Sequence, residues 1–167
     1  MKERKIMPFD KNFVPALRFA VMSDIHIDDE DCIEEQRFAK ALDDLKNLCS
    51  SDERYSGFDA LVIVGDFASR GSEIQMRKVK KILDAGLPAD VRLIMTMASH
   101  EYMTDGEENA LRRFDEIFGL TPDTHAVING FDFIAVTTTG GCHFDEKKRG
   151  FVSAELEKAA ERDGKKP

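Results

Sequence analysis

Three short apolar runs organise this chain, and each ends abruptly in a polar cluster. Leu17-Arg-Phe-Ala-Val-Met22 stops at Ser23-Asp24, Ala60-Leu-Val-Ile-Val64 stops at Gly65-Asp66, and Val91-Arg-Leu-Ile-Met-Thr-Met97 stops just before Ser99-His100-Glu101. The middle run is continuous and β-branched, as expected of a strand buried on both faces. Between the runs, apolar residues recur at helical steps. Ile33, Phe38, Leu42, Leu45 and Cys49 mark a helix over Asp31–Cys49, and Ile74, Val79, Ile82 and Leu83 mark a second after Ser72. Ser72 with Gln75 three residues on predicts a capping box, and Gly86 and Pro88 mark that helix's end. A third helix is predicted over Glu107–Phe118, with Leu111, Phe114 and Ile117 on one face. Strands alternating with helices at this spacing predict βαβ units and an α/β fold with a mostly parallel sheet.

After Gly119 the texture changes. His125–Ile128, Asn129-Gly130 and Phe131–Val136 read as a hairpin with a tight turn. A Thr/Gly loop (residues 137–141) and a solvated charged loop (Glu146-Lys-Lys-Arg149) precede a last helix over Ser153–Arg162. Met7, Met76 and Met103 read as surface residues or gap-fillers. At 167 residues, without repeats or a linker, the chain is read as one domain (1–167), with residues 1–16 as an N-terminal extension.

Composition narrows the function classes. Lys and Arg number 24 against 32 Asp and Glu, a formal net charge of −8; so acidic a chain is a poor partner for nucleic acid phosphates. No apolar run approaches the ~18 residues of a membrane span. Cys32, Cys49 and Cys142 are odd in number and far apart, which suggests neither a disulfide framework nor a thiolate zinc site. The expected compartment is the cytoplasm.

The chemistry-bearing residues are Asp24-Ile25-His26, Gly65-Asp66 with Arg70-Gly71, and Ser99-His100-Glu101. Ligands of open α/β sheets bind beyond the carboxyl ends of the strands, so the three clusters should converge in one crevice. Singly they have ordinary readings: Asp24 and His26 as loop residues, Gly65-Asp66 as a turn with an Asx bond. Together, two carboxylates and an imidazole suit a divalent ion such as Mn, Fe or Zn, and a cation resolves the repulsion of close carboxylates. Arg70 can contact phosphate bidentately or pair with a helix-face acid. His143 with Asp145 and Glu146 is a weaker, solvated candidate metal cluster.

In order and spacing, Asp24-x-His26, Gly65-Asp66-x-x-x-Arg70-Gly71 and Ser99-His100-Glu101 resemble the first three motifs of the calcineurin-like metallophosphoesterases. The resemblance runs from about Leu17 to the end. It implies an α/β/β/α sandwich and a two-metal site that hydrolyses phosphate esters. It further implies that Asp24 and His26 bind the first ion and Asp66 bridges both. By the same resemblance, His100 is expected to protonate the leaving group or stabilise the transition state.

Two departures qualify what the resemblance implies. Ala98-Ser99 stands where the family has Gly-Asn, and a neutral Ser99 hydroxyl is a weaker ligand for the second ion than the Asn carboxamide. The family's later His and Gly-His-x-His motifs are absent. The chain is therefore expected to be an incomplete catalytic domain that binds at most one ion and is inactive or impaired towards an unidentified phosphoester. It is also expected to self-associate through an uncovered sheet face. The rival expectation is a non-catalytic metal-binding or interaction module on the same scaffold.

Overall fold

A computed structural model describes residues 12–162. Residues 1–11 of the expected extension, Met7 among them, and residues 163–167 lie outside the described residues. Ten elements follow one another: β1 (Phe19–Met22), α1 (Ile33–Ser50), β2 (Ala60–Val64), α2 (Glu73–Gly86), β3 (Arg92–Thr96), a 3-10 turn (His100–Tyr102), α3 (Glu107–Phe118), β4 (Thr124–Ile128), β5 (Phe131–Ala135) and α4 (Glu146–Ala160). The first three strands form a parallel sheet in the order β1-β2-β3, with Phe19 opposite Ala60 and Val64 opposite Thr96. The last two pair antiparallel. The α/β fold read from the strand–helix alternation is the observed one.

Strand alternation assigns the two sheet faces. Leu61, Ile63 and Met95 are buried in one core with Phe38 and Leu42 of α1, Val79 and Leu83 of α2, and Phe114 of α3. The aromatic centre of that core is Phe67, Phe114 and Phe118, with ring centroids 5.1–6.3 Å apart. On the other face Ile94 and Thr96 are buried, but Phe19, Val21 and Val64 are about half exposed. The hairpin covers part of this face, with Phe133 meeting Phe19 edge-to-face at 5.2 Å. On the hairpin's far side α4 closes the stack, so the layers run helix, sheet, hairpin, helix. Asn129 and Gly130 both take positive φ, 51° and 79°, which a two-residue turn between right-twisted strands requires.

Ends and faces differ from the sequence reading in instructive ways. β3 is shorter than the Val91–Met97 run because Met97 leaves β2; its N–H donates to Thr137 Oγ1 and its carbonyl accepts from Thr138 N. In α2 the capping box forms as expected, but Ile74 is exposed and Met76 fully buried. Gln75 fixes that rotation: buried itself, its Oε1 accepts from Arg70 N at 2.8 Å and its Nε2 donates to Asp28. The expected charged loop at residues 146–149 is the first turn of α4. Asp145 caps it by accepting from Lys148 N at 2.8 Å, and Lys148 Nζ reaches Asp123 at 2.5 Å.

Candidate metal centre

All three polar clusters lie at the carboxyl ends of β1, β2 and β3. Among the described residues four non-glycines take positive φ: Asn129 in the hairpin turn, and Asp24 (54°), His26 (54°) and Asp66 (51°). Such a conformation costs a residue with a Cβ about 1–2 kcal/mol. Three instances in two adjacent loops mark a place where the fold spends stability on geometry. The loops are held by renewed pairing beyond the strands: His26 N donates to Asp66 O (3.1 Å), Ile27 N to Phe67 O (3.0 Å) and Ser69 N to Ile27 O (2.9 Å).

That pairing brings His26, Asp66 and His100 together, with one potential ligand atom from each lying within 4.8 Å of the others. The two imidazoles meet edge-to-face at 4.5 Å. Asp66 Oδ1 accepts from His100 N at 3.1 Å. His100 Nδ1 lies 2.8 Å from the Ser69 carbonyl. A carbonyl only accepts, so Nδ1 carries the hydrogen and Nε2 of the neutral ring carries the lone pair. Two imidazoles and a carboxylate, with one ring oriented by a backbone carbonyl, are a donor set that fits a divalent transition-metal ion.

The remaining predicted residues surround this trio. Asp24 is exposed at the rim, its Oδ1 3.8 Å from His26 Nε2 and its Oδ2 accepting from Ser23 Oγ at 2.5 Å. Ser99 is exposed, with the Gly141 backbone packed against it. Arg70 is exposed; its main chain is fixed by Gln75 and Thr104, and its guanidinium makes no ion pair among the described residues. A groove of about 780 Å³ beside Asp24 and His26 is lined by Val21 and Met22 of the edge strand β1 and by Phe38 and Arg37 of α1. His143 joins no ligand group among the described residues, and its neighbour Asp145 is used as the α4 cap. His125 is locked between Glu155 and Asp132, at 2.6 Å from each, where it ties the hairpin to α4.

Sequence reasoning placed Glu101 in a motif but gave it no role. Its carboxylate is fully buried and accepts from the backbone N–H of Asp66 (2.9 Å), Ala68 (3.0 Å) and Ala98 (2.9 Å). Burial pushes its carboxyl up to about 7, against the downward pull of those three N–H groups. The signal in the sequence is an acid directly after His100, where the chain leaves a buried strand. Ser69, which holds both His100 Nδ1 and, through its hydroxyl, the His26 carbonyl at 2.9 Å, carried no sequence signal.

No curated protein matches the sequence significantly. A family model, calcineurin-like phosphoesterase, matches residues 17–161, which include every strand and every residue of the centre. With most of the chain matched and the three motifs converging at the strand ends, the chain belongs to the calcineurin-like phosphoesterase family.

Proposed function

We propose that this chain is a metal-dependent phosphoester hydrolase whose described residues furnish the ligand set of one divalent ion, Mn, Fe or Zn. The observation that carries this reading is the convergence of His26, Asp66 and His100 ligand atoms within 4.8 Å at the ends of three parallel strands. His26 and Asp66 hold the ion, and Asp24 at the rim is the further ligand. What a divalent ion supplies at such a site is polarisation of the phosphoryl oxygen and a lowered pKa of the attacking water. With Nδ1 donating to Ser69, His100 has Nε2 left, in its protonated state, to give a proton to the leaving oxygen or to stabilise the transition state. Arg70, exposed and without an ion pair among the described residues, is free to meet a phosphate oxygen. Ser99 is the residue placed for a second ion, and a neutral hydroxyl holds one weakly. Turnover by this chain is accordingly slow. Three free cysteines are consistent with a reducing compartment, and they support the cytoplasm as the compartment of this reading. Among the described residues no helix is long and apolar enough to cross a membrane.

Ser99 in the asparagine position favours a second reading, a module that retains one ion and binds without catalysis. Hydrolysis of p-nitrophenyl phosphate and bis-p-nitrophenyl phosphate with added Mn²⁺ separates the two. Slow, metal-dependent turnover that Asp66→Ala abolishes supports the hydrolase. Mn²⁺ binding without turnover supports the second reading, and absence of Mn²⁺ binding refutes both.

A further inference from the structure

We propose that Glu101 is the positioning residue of this centre. Its buried carboxylate locks the loop after β2 to the loop after β3 and so sets where the Asp66 carboxylate and the His100 imidazole stand. The inference rests on the metal-site reading above and adds to it a residue that touches neither ion nor substrate.

A fully buried carboxylate is costly unless its oxygens are met by donors. Among the described residues Glu101 has no Lys or Arg partner, and its donors are all backbone N–H groups. Oε2 takes two, from Asp66 and Ala98, and thereby joins the ends of β2 and β3 through a single atom. Oε1 takes the third, from Ala68, the residue that bridges Ile27 in the loop after β1. One side chain therefore ties together the loops of all three strands. Asp66 receives the most direct control. Its N–H is held by Glu101 and its Oδ1 by His100 N, so two consecutive residues fix both ends of a residue in a positive-φ conformation. Oδ2 is the oxygen left for a ligand. The Glu101 main chain is fixed as well, because the Gly71 backbone packs directly on its carbonyl. A group serving only to fill space would not need three aligned donors on its two oxygens.

Glu101→Gln keeps the shape and replaces one acceptor oxygen with an NH₂ that faces backbone donors. Two measurements are made at a temperature where circular dichroism shows the variant folded: Mn²⁺ affinity by electron paramagnetic resonance, and amide hydrogen exchange by NMR. Val79→Ala is the control, since Val79 is fully buried in the core and lies outside the centre. The expected result is about 10–100-fold weaker Mn²⁺ binding in Glu101→Gln, the size found when groups orienting metal ligands are removed. Affinity in Val79→Ala is unchanged. Exchange at the Asp66, Ala68 and Ala98 amides is faster in Glu101→Gln than in Val79→Ala. Wild-type affinity in Glu101→Gln, or exchange at those amides no faster than in the control, overturns the proposal. If the wild-type chain binds no Mn²⁺, the metal-site reading fails, and the amide comparison alone decides the role of Glu101. Should Glu101→Gln fail to fold, Glu101→Asp, which keeps the charge but is one methylene shorter, is read in the same way.

Discussion

Replacing Gly71 with alanine tests how tightly the centre is built, because the cost can be worked from two separate sources. Gly71 sits at φ +72°, which costs a residue with a Cβ about 1–2 kcal/mol. The added Cβ would also lie 1.9 Å from the Glu101 carbonyl oxygen and 2.7 Å from its Cα. Unstrained contacts sit near 3.5 Å, so roughly 1.6 Å of room must be found. It has to come from backbone, since Glu101 is pinned by three N–H bonds and Gly71 O accepts from buried Arg113. Overpacking of this kind costs about 1–3 kcal/mol, for a total of about 2–5 kcal/mol. Gly119→Ala supplies the control: φ is +63° there but nothing lies within 4 Å, so only the conformational cost applies. Urea denaturation followed by circular dichroism should place Gly71→Ala at least about 1 kcal/mol below Gly119→Ala with a similar m-value. Equal losses in the two variants would refute the close approach of the second-motif glycine to Glu101.

Further outcomes are expected elsewhere in the fold. Phe114→Ala, which empties the centre of the Phe67–Phe118 cluster, should lower stability by about 3–5 kcal/mol in the same assay. The Glu155 carboxyl is held below its ordinary value of 4.5 by Lys158 and then His125. A depressed folded pKa gives stability that is present above the unfolded value and lost as pH falls through the folded one. Urea midpoints should therefore drop below about pH 4.5, and less steeply in Glu155→Gln; equal slopes would contradict this. The half-exposed Phe19, Val21 and Val64 on the hairpin-side face predict concentration-dependent association by light scattering, which Val21→Lys should reduce. A wild-type chain that remains monomeric would remove that expectation.

How much of this was legible in the sequence depended on whether a residue's role is local. Ala60–Val64 was read with its observed ends because a continuous β-branched run leaves little alternative. The α2 capping box is a four-residue pattern, and it formed as read. Helical spacing alone put Ile74 on the inward face of α2, where the structure has it exposed. Gln75 decided the facing through partners in the preceding loop, so Met76 went inward and Ile74 outward. The start of α4 was hidden because Glu146–Arg149 reads as charge, whereas the deciding contact is the Asp145 cap. At the centre, ligand types and strand-end positions were readable. The positive-φ conformations and the Glu101 clamp were not, because each depends on backbone groups brought from distant segments.

The most direct test of the central claim is a calorimetric titration of the full chain with Mn²⁺, run in parallel on Asp66→Ala. The account predicts one site per chain in the wild type, with binding lost in the variant because only His26 and the exposed rim carboxylate of Asp24 are left to hold the ion. Absence of binding in the wild type, or an isotherm that Asp66→Ala leaves unchanged, would contradict a metal centre built at the ends of these three strands.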